Sequence, residues 1–198
     1  MIRASRETVL TILLIVAALA VGNVITARLP KADEVANLPF VHTAALGVPV
    51  TMRTGTFAVT KVDASPIVGT QLDTAVTGGL FLVLTVDVTA SGEPLYPASD
   101  DLRIVASDGR EFGGRPPVRE VCGPAQPGLT LTCMLPVEIT PDALAGSGLR
   151  LPAANRDIVG PGESEYAEID LGISADAAAE LAGRTTPILL AKPTVKGK

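Results

Sequence analysis

The side chains able to do chemistry are few in this 198-residue chain. His42 is the single imidazole. Any Ser/His/Asp triad or histidine-based metal site would have to be built on it. It stands between Val41 and Thr43, beside no nucleophile motif, and no G-x-S-x-G sequence occurs; Gly146-Ser147-Gly148 is a loop tripeptide before a strand. A histidine in that setting is a packing or surface residue. Asp100, Asp101 and Asp108 offer the carboxylates that Ca²⁺ prefers, but a strand separates Asp101 from Asp108 and the spacing is not that of an EF-hand. Asp-Asp before a strand and Asp-Gly in a turn are ordinary loop chemistry. Glu163, Glu165, Glu168 and Asp170 are dense enough to suggest a two-carboxylate hydrolase. Glu168 and Asp170, however, alternate with apolar residues as on the wet face of a strand, and Glu163 lies in a Gly-Pro-Gly-Glu-Ser loop. The expectation is no catalytic residue, no metal and no cofactor.

Three guanidiniums are more suggestive. Arg110, Arg115 and Arg119 share the Pro/Gly-rich stretch GREFGGRPPVRE, where they could meet an anionic headgroup or an acidic partner, although Glu111 and Glu120 neutralise part of the charge. These three are the candidate partner-binding residues. Beside them, Cys122 and Cys133 are the chain's two cysteines. In an exported protein such a pair reads as one disulfide; in a cytosolic one, as two buried thiols.

The elements that must carry these residues fall into two kinds. Val9 to Ala27 is a run of 19 residues without a charge, preceded by Arg3 and Arg6 and followed by Arg28 and Lys31. About 20 apolar residues span a hydrocarbon core, so the run reads as a membrane anchor. The alternative is a cleaved secretory signal ending at Ala18-Leu19-Ala20 or Ile25-Thr26-Ala27, which would make the protein secreted. Ala17, Ala18, Ala20 and Gly22 allow close helix contact without forming G-x-x-x-G. Residues 28–47 then read as a connector.

From residue 48 the pattern turns to short β-prone runs. Phe81 to Thr89 is the strongest, with Leu82, Leu84, Val86 and Val88 on one side. Leu102 to Ala106, Leu129 to Ile139 and Glu165 to Leu171 alternate likewise, and Pro136 marks an edge or bulge. Seven or eight strands at this spacing predict an antiparallel sandwich over 48–172. Residues 173–198 hold a short helix, capped by Ser174 and stopped by Gly183, and a tail whose apolar burst Ile188 to Ala191 pairs with its own sheet or with a partner's.

Composition agrees. Hydrophobic residues make up 47% and charged residues 19%, too apolar for disorder. With 4 Phe, 2 Tyr and no Trp, a stacking surface for single-stranded nucleic acid is not expected. The net charge of −5 disfavours polyanions.

Gly79 to Phe112 and Pro127 to Leu151 carry a family likeness. The strand FLVLTVDVT leads through a polar gap to a strand ending in Asp-Gly. A Pro-Gly turn then opens LTLTCMLPVEI, followed by PDAL and LRL. This resembles the telokin-like, immunoglobulin-fold domains of bacterial surface lipoproteins and secreted actinobacterial antigens. The resemblance implies an Ig-like sandwich outside the cytoplasmic membrane, without enzymatic role, and brings no catalytic residues. The chain lacks a lipobox cysteine, which leaves anchoring to residues 9–27. The expected function is a non-enzymatic, membrane-anchored accessory subunit of a cell-envelope complex, such as a transporter or secretion assembly, with an integral membrane or envelope protein as partner. The alternative is a binding module for a lipid, small molecule or cell-wall polymer.

Overall fold

Alternating apolar residues in Phe81–Thr89 put one side of the longest strand into a core, and the rest of the fold is arranged around that strand. The computed structural model describes residues 6–28, 39–97, 102–118, 122–153 and 165–196. They form two units, 1–38 and 39–198. The first holds helix α1 (Arg6–Arg28). The second holds β1 (Phe40–Ala45), β2 (Val50–Met52), β3 (Gly55–Gly69), β4 (Thr74–Ala90), β5 (Arg103–Val105), β6 (Glu111–Gly113), β7 (Thr130–Ile139), β8 (Gly148–Pro152), β9 (Glu165–Asp170), helix α2 (Ala175–Ala182), β10 (Ile188–Leu189) and β11 (Thr194–Lys196).

In α1, Thr8–Thr26 is long and apolar enough to cross a membrane, a property shared by signal sequences. At about 1.5 Å per residue its length matches the roughly 30 Å of a hydrocarbon core. Its polar Thr26 donates its hydroxyl to the Gly22 carbonyl at 2.8 Å, which satisfies the group within the helix.

The second unit is an Ig-like β-sandwich. One sheet runs β1-β9-β8-β5-β6; the other runs β10-β3-β4-β7-β11, with β2 also paired to β3. Pairings are antiparallel except β1 with β9 and β10 with β3. Across the first sheet, Ala44, Ile169, Leu149, Ile104 and Phe112 stand in one register row. Across the second, Val62, Leu84 and Leu135 do the same. The rows meet in a single buried cluster. Each fully buried Leu or Ile there is worth about 1.5–3 kcal/mol of transfer free energy. Pro136 lies opposite Val83, beyond the three β7 residues that β11 covers, so its missing N–H faces an unpaired stretch of edge.

One expectation changes, and one pair of alternatives is decided. The connector 28–47 contributes a strand, Phe40–Ala45, so the sandwich begins before residue 48. Its side chains show no clear period because a single residue, Ala44, packs against the core, while Phe40 is 75% exposed. The tail's apolar burst pairs with its own sheet. Ile188–Leu189 adds to β3 at Val68 and Gly69, and Thr194–Lys196 adds to β7 on the opposite edge. Between them the chain crosses the outer face of the sheet. Leu190 is buried there in a second cluster with Val68, Phe81, Val83 and Val118, and the Ala191 N–H meets Met134 Sδ at 3.4 Å. Helix α2 is capped as its sequence predicts. Ser174 Oγ accepts from the Ala177 N–H, and Ala178 and Leu181 join the main core.

Candidate functional site

The acids of β9 divide by parity. Glu165 shares the side of buried Ala167 and Ile169, whereas Glu168 and Asp170 face out. Glu165 sits where the two sheets meet. His42 Nε2 lies 2.8 Å from its Oε1, and the Arg53 N–H donates to both oxygens at 3.1 and 3.2 Å. The only histidine therefore joins β1 and β9 to the end of β2.

On the outer face of the five-stranded sheet, Thr43, Glu168, Arg150 and Arg103 stand in register. Arg150 donates to Glu111 at 2.8 Å and to Glu168 at 3.4 Å, and lies 5.2 Å from the Tyr166 ring centre. Burial disfavours its charge, but Glu111, Glu168 and Tyr166 outweigh this and hold its pKa above the usual value. Beside it lies a depression of about 400 Å³ bordered by Thr43, Val105, Gly148, Arg150, Glu168 and Asp170. Glu168 and Asp170 stand side by side on one strand, about 6.6 Å of rise apart. They form one wall instead of the two sides of a cleft. Asp170 Oδ1 is occupied by the Gly172 N–H at 2.8 Å.

Of the arginine candidates, Arg110 and Arg115 lie within the described residues and differ in their partners. Arg110 donates to Asp108 at 2.7 Å and to Asp142 at 2.6 Å, with its guanidinium 5.6 Å from the Phe112 ring centre. Asp142, then Asp108, raise its pKa. The Arg110 N–H and guanidinium hold the Asp108 carboxyl below its usual range, and the Thr140 hydroxyl with Arg110 does the same to Asp142. Its charge is spent inside the fold, joining the β5–β6 turn to the segment after β7. Asp108, proposed above as a possible Ca²⁺ ligand, is committed to the same pair. Arg115 is exposed and makes no ion pair among the described residues. It borders a separate depression of about 420 Å³ with Glu111, Phe112, Glu138 and Thr140. Arg119, Asp100, Asp101 and Glu163 lie outside the described residues. His42 borders neither depression.

Cys122 and Cys133 form a disulfide. Cys133 sits in the middle of β7, opposite Val86, so the bond ties the arginine-rich segment to the central strands. Comparisons with known proteins found no matching family model, curated protein or solved structure.

Among the described residues, no group of three or more His, Cys, Asp or Glu is placed to hold a metal ion. A void of about 20 Å³ within the sandwich is lined by apolar residues including Phe57, Leu135, Leu149 and Ile169, room for about one water. Sequence reasoning missed two ion pairs that fasten the tail: Arg184 to Asp63 and Lys196 to Asp87. Arg184 also reaches Glu180 at 2.7 Å, and that i,i+4 spacing was the available signal.

Proposed function

We propose that this chain is a non-enzymatic, membrane-anchored, extracytoplasmic protein of the telokin-like Ig-fold kind, serving as an accessory subunit of a cell-envelope membrane complex. One conjunction carries the reading: a helix whose span Thr8–Thr26 is charge-free and of membrane-crossing length precedes a sandwich that carries a disulfide. A stable disulfide belongs to an oxidising compartment, and the apolar helix supplies the route to one. Among the described residues, His42 pairs with Glu165 across β1 and β9, Glu168 meets Arg150 across β9 and β8, and Asp170 accepts from the Gly172 N–H. The ligand-module alternative draws less support, since Arg110 is neutralised and the interior is filled.

The test is extraction of the full chain in mild detergent from its own membranes. The reading expects recovery in the membrane fraction with residues 9–27 intact by mass spectrometry, and co-purification with an integral membrane protein at fixed stoichiometry. A mature chain starting at Val21 or Arg28, or a lone monomer, would overturn it.

A further inference from the structure

Exposed strand edges invite pairing with other chains, and natural proteins blunt them with charge, proline or shortness. The described edges here follow that rule, with one exception. β2, β6, β10 and β11 are three residues or fewer and carry or adjoin Arg53, Glu111, Pro187 or Lys196. The open stretch of β7 contains Pro136 and Glu138. β1 runs six residues, FVHTAA, with neither charge nor proline inside it. It pairs with β9 on one side, and no strand pairs with its other edge among the described residues.

We infer that the open edge of β1 pairs antiparallel with β1 of a second copy, about a twofold axis at Thr43, joining two five-stranded sheets. The backbone sets this register. The Leu46 N–H donates to Asp170 O across the β9 side at 2.8 Å. Because N–H groups alternate in direction along a strand, those of Val41, Thr43 and Ala45 point to the open side. An axis at Thr43 places Thr43 opposite Thr43 and Val41 opposite Ala45, matching donors to acceptors at each pair. It also sets Phe40, 75% exposed, opposite Leu46, 39% exposed. An axis at His42 would instead place Ala45 opposite Pro39, which has no N–H to give. Charge confines self-pairing to this edge. Residues 48–198 carry 12 basic and 18 acidic residues, so two copies repel over most of their surface, whereas residues 39–49 hold no acid or base beyond His42. A twofold pairing of like edges closes on itself. The inference goes beyond the proposed function and does not rest on the membrane anchor.

The test is site-directed thiol cross-linking of the full chain in mild detergent. Cys122 and Cys133 are bonded to each other, so Thr43→Cys supplies the only free thiol. Thiols whose Cα atoms lie more than about 7 Å apart do not bridge without backbone movement. Thr43→Cys should therefore give a homodimer on mild oxidation, while Thr74→Cys and Ser91→Cys stay monomeric. Adding Val41→Lys, at an exposed position, should cut the Thr43→Cys dimer about tenfold with unfolding temperature unchanged. A monomeric Thr43→Cys chain, equal cross-linking at all three positions, or bridging to a different protein would overturn the inference. Recovery of the chain from the soluble fraction would overturn the anchored reading alone.

Discussion

Reducing the Cys122–Cys133 bond is the most direct measure of what holds the arginine-rich segment. The two cysteines are 11 positions apart. On the chain-entropy model a loop of that size stabilises the fold by about 3 kcal/mol, through the ensemble of unfolded states. The folded segment has other ties: Leu95 and Ala125 bond each other in both directions at 3.0 and 2.7 Å, and Ala125 is fully buried. Reduction should therefore leave the native segment in place while lowering global stability. For a domain of this size each kcal/mol moves the melting temperature by roughly 2–4 °C, so a fall of about 6–12 °C is expected. Calorimetry of oxidised and reduced protein gives the shift, and amide exchange at Leu95 and Ala125 reports the local structure. A shift below about 1 °C would refute the chain-entropy reasoning. A large shift with exchange protection lost at Leu95 would show that the bond acts by holding the native loop.

Other perturbations separate core, edge and tail. Leu84→Ala, at a fully buried site, should cost about 2–5 kcal/mol in urea unfolding. Leu72→Ala, at a residue 88% exposed, should change stability by no more than about 0.5 kcal/mol. At Gly113, φ is +128° and a Cβ would lie 2.3 Å from the Leu102 carbonyl oxygen. Gly113→Ala should thus cost about 2 kcal/mol or more by strain, while Gly92→Ala, with open space around it, should not. Burial pushes the Asp63 carboxyl up, but bonds from Lys61, Arg184 and the Ala64 N–H outweigh it and hold the pKa below its usual value. A depressed folded pKa gives stability that is present above about pH 4 and lost as pH falls through the folded value. Asp63→Asn should flatten the acid limb of a stability–pH curve measured by denaturant unfolding.

Much of the sandwich is legible because burial on one face writes itself into the sequence. Leu82, Leu84, Val86 and Val88 alternate with Thr85, Asp87 and Thr89, and all four apolar residues are buried. Phe81 and Val83 break that pattern from the other face, and the sequence alone does not explain them. They are covered by Leu190, more than a hundred positions away. β1 escapes for the opposite reason: an edge strand with one residue against the core has no period to show. The resolved candidate sites were legible as residue types but not as partners. Arg110 looked like a free cation because Asp142, 32 positions later, was indistinguishable from any other loop acid. His42 and Glu165 are separated by 123 positions, a distance that no local pattern bridges.

The crossing of the six-stranded sheet by the tail has a consequence for how the domain is completed. Both outer strands of that sheet come after every other strand in chain order, and Ile188 finds its partner Val68 at a separation of 120 residues. Contacts of such long range close slowly, because the entropy of a large loop is lost before any contact rewards it. Until they form, the β3 and β7 edges lie open and Phe81 and Val83 face water together, the kind of surface that draws unfinished chains into aggregates. Under the function proposed above, the chain would meet this exposure as it emerges across the membrane. The step from central hairpin to finished sheet is thus the stage at which a holding factor would matter most.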